Sequence, residues 1–295
     1  MFDRIMGKYL LDRGTITKAQ LYTAYQVMES RRAKLGVIAV TEKLMTVAQA
    51  EEINALQATK DKRFGDLAIE RGYITEIQLG YLLSLQGNEF QTFTSALVEK
   101  GIMTLEDVDD VLGAFQQEKN LTDEQMSALK NGDPDFIVPL FTGTDDPEYN
   151  ALYRYGVKNI YRLVDTHLSI DRVYTTNNIK DQCIAYQSFS GDVKATVALI
   201  GKNEDLQKLA KSYTKEEFIE TEEDALDAMC ELINCINGLY ATDRSKQGKK
   251  IELDPPYFIT KFGEISGDDI HVMTVNCCDA DIRLVVAVNS EVTVK

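Results

Sequence analysis

The run Glu231-Leu-Ile-Asn234-Cys-Ile-Asn-Gly238 places a carboxylate three residues before a carboxamide. On a helix that spacing sends both side chains from one face, about one turn apart. The acid can anchor a partner and the amide can hold a water. Together they suit hydrolysis of a bond carried by another protein. A second feature follows at Leu253-Asp-Pro255-Pro256. Glu51 and Asn54 share the same spacing, so the pair acquires meaning only from its surroundings.

The elements that must position this pair can be read around it. Thr221-Glu-Glu-Asp224 predicts the start of a long helix running to about Asp243, with a threonine cap and acids in the first turn. Gly238 falls inside it and costs about 1 kcal/mol relative to alanine. That cost predicts close approach of a neighbouring element. Asn237 supplies a second amide beside Asn234 and receives no role. An amphipathic pattern predicts a helix from Glu148 to about Asp165. Cys183–Ser190 and Val193–Ile200 read as strands joined by a turn at Ser190-Gly191-Asp192. Asn203–Ser212 reads as a helix, and Tyr257–Thr260, Ile270–Asn276 and Arg283–Val288 as strands. The order helix, hairpin, two helices, then strands predicts an α+β sandwich with a largely antiparallel sheet.

Bulk properties bound the setting. A chain of 295 residues predicts about two domains. At 44% hydrophobic and 27% charged residues it has the composition of a soluble globular protein. A net charge of −15 repels a phosphate backbone, which argues against a nucleic acid polymer as partner. No apolar run approaches the roughly 20 residues that cross a bilayer, so membrane insertion is not expected. The first residues lack a signal peptide's apolar core, and a cytoplasmic location is the expectation. Cys183, Cys230, Cys235, Cys277 and Cys278 contain no CxxC and read as small buried hydrophobes. His167 and His271 are the only histidines, which makes an intrinsic zinc site unexpected.

The N-terminal third repeats at a shift of 29 residues. Gly7, Gly36, Gly65 and Thr94 fall in register, as do Gly14, Lys43, Gly72 and Gly101. Thr17, Thr46, Thr75 and Thr104 are each followed three residues later by Gln20, Gln49, Gln78 or Asp107. The first three predict capping boxes, and the shorter Asp107 a poorer one. Each unit reads as a short helix, a glycine stop and a longer capped helix. Tyr9-Leu10-Leu11, Leu67-Ala68-Ile69 and Ala96-Leu97-Val98 supply the first apolar face. Leu21, Tyr25, Leu79, Leu83, Val108 and Leu112 supply the second. Units this small must stack to bury those faces. The expected division is tandem all-α helical repeats over 1–118, a connector over 119–147 and the α+β domain over 148–295. Three prolines and the glycines of the connector predict turns there, apart from one short helix near Leu121–Gln125.

Two resemblances attach to these motifs. Ser190-Gly191-Asp192-Val193-Lys194, Glu231-xx-Asn234-xxx-Gly238 and Leu253-Asp-Pro255-Pro256-Tyr-Phe-Ile259 resemble the CheX/CheC chemotaxis phosphatases, most closely the CheX type, which carries one ExxN signature. That resemblance implies action on a CheY-like response regulator. Glu231 would engage a lysine of the receiver, and Asn234 would orient a water in line with the aspartyl-phosphate bond. The Mg2+ would belong to the receiver, with no intrinsic cofactor. Related domains often pair into homodimers. In the N-terminal third, Lys34-Leu35-Gly36 through Gln57 and Arg63-Phe64-Gly65 through Gln86 resemble the tandem motifs of MshEN-type domains, some of which bind cyclic di-GMP. That resemblance implies that Lys34 and Arg63 meet ligand phosphates and bases, with hydrogen bonds from Gln57 and Gln86. The leading expectation is a CheX-like phosphatase with a regulatory or docking repeat domain. The alternatives are a non-catalytic adaptor for a receiver and a cyclic di-GMP sensor.

Overall fold

A computed structural model describes residues 1–28, 32–57, 59–60, 62–215 and 219–295. The chain divides into two compact units, Met1–Asp133 and Pro134–Lys295.

The first unit is helical. Its helices are α1 (Phe2–Asp12), α2 (Lys18–Met28), α3 (Leu35–Thr41), α4 (Val47–Gln57), α5 (Phe64–Glu70), α6 (Glu76–Ser84), α7 (Glu89–Glu99), α8 (Leu105–Glu118) and α9 (Asp123–Lys130). The first helix of each pair ends in a left-handed residue: Gly14 (φ 69°), Lys43 (φ 54°), Gly72 (φ 73°) and Gly101 (φ 63°). Lysine therefore adopts the backbone that glycine takes in the other three turns. Each threonine then caps the next helix. Gln20, Gln49 and Gln78 each accept the threonine N–H at 2.8 Å. Asp107 completes a full box as well, accepting from the Thr104 N–H and Oγ1, both at 2.7 Å. The shorter acid is thus no poorer as a cap, and the backbone hydrogen bond from Thr104, helped by its hydroxyl, lowers the Asp107 pKa.

Glycine permits the close crossing inside a pair. A Cβ at Gly7 would stand 2.1 Å from Tyr25 Oη, and one at Gly65 would stand 2.6 Å from Leu79 Cδ1. At Gly36 the crowding group is the Phe64 ring, 3.1 Å away. Val37, Ile38, Val40, Ile53, Leu67 and Leu82 form one core with Phe64. Leu83, expected to face inward, is 49% exposed; Leu82 takes the buried position. Leu79 and Leu82 lie three apart on one helix face, and the next residue turns outward.

The expected connector holds two helices, α9 and α10 (Pro134–Thr142), and the boundary between units falls inside it. Its prolines do not impose turns as expected. Pro134 and Pro147 each open a helix, where the missing N–H has no partner to lose. Only Pro139 sits within one.

The second unit continues with α11 (Pro147–Leu163), β1 (Ser169–Ile170), β2 (Tyr174–Asp181), β3 (Cys183–Gly191), β4 (Ala195–Gly201), α12 (Asn203–Thr214), α13 (Glu222–Lys246), β5 (Ile251–Leu253), β6 (Tyr257–Ile259), β7 (Gly263–Cys277), β8 (Ala280–Val288) and β9 (Val292–Val294). The strands form one antiparallel sheet in the order β1-β7-β8-β4-β3-β5, with β2 and β9 also on β7 and β6 also on β3. Register assigns the faces. Ala185, Leu199, Leu284 and Met273 share one row, and Gln187, Val197, Val286 and His271 share the next helix-facing row. The row between them, Tyr186, Ala198, Val285 and Val272, faces the opposite core with Ile179 and Ile265.

α11 crosses at Gly156, where a Cβ would meet Leu284 at 2.5 Å. α13 crosses beside it, with the Tyr240 ring 5.3 Å from that of Phe189. A buried polar cluster ties the two helices. Glu148 accepts from Lys249 Nζ at 2.6 Å and from Tyr240 Oη at 2.5 Å, and pairs with Arg244 Nε at 2.8 Å. Burial alone would favour the neutral acid; the bonds from Lys249 and Tyr240 and the charge of Arg244 outweigh it and hold the Glu148 pKa below its ordinary 4.5.

Two measurements test these local balances. Lys43→Gly should raise the urea midpoint of the N-terminal unit by about 1 kcal/mol equivalent, because glycine takes the left-handed turn without a Cβ penalty. A carboxyl with a depressed folded pKa stabilises above its unfolded pKa, and that stability is lost as pH falls through the folded pKa. Glu148→Gln should therefore cost about 2 kcal/mol in the second unit at pH 7. It should also flatten the loss of stability below pH 4.5 seen by thermal unfolding across pH.

Candidate functional site

The site lies where α13 passes the edge of the sheet. Thr221 caps this helix through a box with Asp224, and three acids occupy the first turn, where the helix dipole favours them. Leu226, Met229, Ile233, Ile236 and Tyr240 point into the core. Asp227, Glu231 and Asn234 remain outside, one turn after another, as the 3.6-residue period requires. Together with Cys230, Pro256, Tyr257 and Phe258 they line an open groove of about 560 Å³.

The double proline builds the opposite wall. β5 pairs with Phe189–Gly191 of β3 and β6 with Ile184–Tyr186, so the edge is interrupted at Gln187 and Ser188. Pro255 and Pro256 have no N–H to continue the ladder. Before them, Asp254 N donates to Ser188 O at 3.0 Å. The Asp254 carbonyl instead accepts from the Gln187 side chain, Nε2 to O 2.7 Å. The same nitrogen donates to Asn234 Oδ1 at 2.8 Å, and Gln187 Oε1 accepts from Asn237 Nδ2 at 2.9 Å. Gln187 is 1% exposed and Asn237 is fully buried. Asn234 itself is exposed at the groove, and its Nδ2 makes no hydrogen bond among the described residues.

The structure brings Glu231 and Asn234 together as the spacing predicts. Three residues escaped the sequence reading. Asp227 precedes Glu231 by one turn and doubles the acidic charge of the groove. Asn237, given no role, is a buried partner of Gln187. Gln187 had a legible signal: it is the polar member of the helix-facing series Cys183, Ala185, Gln187, Phe189. Gly238 departs from expectation, since a Cβ there would meet nothing within 4 Å. No neighbouring element approaches it. It leaves bare helix surface one turn beyond Asn234. The cysteines divide too: Cys235 is exposed and Cys278 half-buried, while Cys183, Cys230 and Cys277 are buried. Cys235 lies on the outer face of α13, so its position opposes the reading of a buried hydrophobe. Burial, with the charge of Asp227 adding to it, pushes the groove's Cys230 thiol up to about 12, which leaves it unreactive at neutral pH.

In the N-terminal unit the two resembling motifs meet through Gly36 and Phe64. Lys34 and Arg63 are the N-caps of α3 and α5, both exposed. Leu35 is half-buried, and Gly36, Phe64 and Gly65 are buried. Gln86 Nε2 donates to Ala33 O at 3.0 Å, beside Lys34, and Gln57 Nε2 donates to Lys62 O at 3.3 Å, beside Arg63. Phe64 and Gly65 thus serve packing, and the cations and amides remain near the surface. Among the described residues, no group of three or more His, Cys, Asp or Glu side chains is placed to hold a metal ion. No helix among them is long and apolar enough to cross a membrane.

Several solved structures are similar to the C-terminal half at low identity. A chemotaxis protein CheX from Desulfovibrio desulfuricans is 12% identical, with 49% of this chain and 100% of that chain covered and a TM-score of 0.43. A chemotaxis protein CheX from Vibrio vulnificus is 9% identical over 49% of this chain and 100% of that one, TM-score 0.42. A CheX–CheY–BeF3–Mg complex from Borrelia burgdorferi contains a chain 14% identical over 47% of this chain and 95% of that one, TM-score 0.38. No curated protein matches the chain. The family model for the chemotaxis phosphatase CheX matches residues 183–275, from the start of β3 almost to the end of β7, and includes both walls of the groove. The second unit therefore carries a CheX family domain.

Proposed function

We propose that this domain binds the receiver domain of a CheY-like response regulator and hydrolyses its aspartyl phosphate. The observation that carries the reading is the line of Asp227, Glu231 and Asn234 along one open groove, ending in an amide nitrogen without a partner among the described residues. The two acids form a cation-attracting surface suited to a lysine beside the receiver's phosphate. Asn234 then holds a water in line with the phosphorus. The water oxygen forms the new P–O bond, and the bond to the aspartyl oxygen breaks with its electron pair returning to the carboxylate. The water's proton leaves with inorganic phosphate or to solvent. Positioning suffices here, because phosphoryl transfer asks for little covalent help from the catalyst. The receiver brings its own Mg2+.

The decay of a phosphorylated CheY-like receiver tests the reading directly. Wild type should accelerate decay. Asn234→Ala should reduce that acceleration roughly 100-fold while the receiver still binds. Glu231→Ala should weaken binding chiefly. Binding by wild type with an unchanged phosphate lifetime would instead identify a non-catalytic docking domain.

Gly238 supplies a separate test of the docking face. With open space around it, Gly238→Ala should raise the stability of the second unit by about 1 kcal/mol in urea unfolding. If the receiver lies along the bare helix beyond Asn234, the same change should weaken receiver affinity. Equal affinity in a titration would place the partner elsewhere.

A further inference from the structure

The carboxamides of Gln187, Asn234 and Asn237 form a chain whose direction is decided at one end by a backbone carbonyl. The Asp254 oxygen can only accept, so the atom of Gln187 lying 2.7 Å from it must be the nitrogen. A reversed Gln187 would bring two oxygens to that separation. The second hydrogen of the same nitrogen then requires an acceptor, and Asn234 Oδ1 stands 2.8 Å away. Gln187 Oε1 is left to accept from Asn237 Nδ2 at 2.9 Å. Reversing Asn234 alone would face one NH2 group with another.

The apolar neighbours of Gln187 do not themselves call for glutamine; its polar partners do. Its row neighbours on the sheet are Val197 and Val286, and its neighbours along the helix-facing side are Ala185 and Phe189. An apolar side chain would suit those neighbours but would leave the Asp254 carbonyl and the buried Asn237 amide without these bonds. Burial makes misorientation of the amide costly, since a buried polar group that loses its partner bears the full desolvation penalty.

We propose that Gln187 is a positioning residue, which locks the Asn234 carboxamide with its oxygen turned inward and its N–H donor turned to the groove. The consequence for catalysis rests on the phosphatase reading above and sharpens it. Asn234 holds the water by donating to its oxygen, which leaves the remaining lone pair for phosphorus. The amide carbonyl takes no part.

Two variants and one measurement on the unaltered full-length protein test this. Gln187→Glu replaces the donor with an acceptor. It repels Asn234 Oδ1 and the Asp254 carbonyl alike, and draws the Asn234 NH2 inward, away from the groove. Gln187→Met keeps the length and removes the lock. In single-turnover decay of a phosphorylated CheY-like receiver, Gln187→Glu should lower the maximal rate roughly 100-fold with the half-saturating receiver concentration within about twofold. Part of the rate should return as pH is lowered and the introduced carboxylate takes up a proton; Asn234→Ala should show no such return. Gln187→Met should lose roughly 10-fold, again in maximal rate. The nitrogen–proton signals of the Asn234 side chain should shift in both variants. In wild type, side-chain hydrogen exchange should be fast at Asn234 and roughly 100-fold slower at Gln187. Folded variants with wild-type maximal rates and unmoved Asn234 signals would overturn the proposal. So would protected Asn234 hydrogens beside freely exchanging Gln187 ones, a result that stands even if the variants do not fold. Should wild type fail to accelerate decay at all, the phosphatase reading falls. The Asn234 signals and the exchange order then decide the lock by themselves.

Discussion

Proline has no amide hydrogen, and the edge of the sheet beside α13 is organised around that deficit. At Pro255 and Pro256 the outer strand cannot keep bonding to β3, so it splits into β5 and β6. The split leaves the Asp254 carbonyl to be satisfied from the side, and a buried glutamine satisfies it. That glutamine in turn reaches the one exposed amide of the groove. The wall, the buried amide chain and the exposed Asn234 thus follow from one gap in a hydrogen-bond ladder.

Holding α13 in register with that gap requires more than apolar packing. Phe189 and Tyr240 set its distance from the sheet, each contributing roughly 2–3 kcal/mol through burial. The cluster of Glu148, Tyr240, Arg244 and Lys249 sets its position along α11. Charges that leave water need every partner in place, so such a cluster tolerates one arrangement and penalises a slide of the helix. The groove at the other end of the same helix inherits that precision. Asp227, Glu231 and Asn234 are the outward residues of α13 that line it.

The N-terminal unit is held together differently. Its helices are short, and each is defined by its ends: a left-handed residue closing one helix and a threonine box opening the next. Buried small residues let the paired helices touch, as Gly7 does under Tyr25 and Gly65 under Leu79. Lys43 shows that the turn is imposed by its neighbours, since lysine gains nothing locally from a positive φ. A deeper polar set, with Lys130 donating to Thr41 O and lying 3.5 Å from Glu42, ties α9 to α3. Burial lowers the Lys130 pKa, opposed by Glu42.

Local chemistry made much of this legible from residues alone. Capping threonines, left-handed glycines and the two-residue alternation of strands act over a few positions, so the helix pairs, α13, β3 and the pairing of Glu231 with Asn234 could be read directly. The edge strands β2, β5 and β9 could not, because their residues are polar or too few to show an apolar alternation, whereas the equally short β6 carries the apolar run Tyr257-Phe-Ile259. Distance in sequence hid the site's interior. Gln187 lies 47 residues from Asn234 and 67 from Asp254, and only the folded sheet brings them within hydrogen-bond reach. Gly238 shows the limit from the other side: its cost to the helix is a local property, while the open space around it belongs to the tertiary structure. Residue types and spacing determined which groups could do chemistry. The tertiary structure decided which way the decisive amide faces, because direction is set by a backbone carbonyl that no short stretch of sequence contains alongside it.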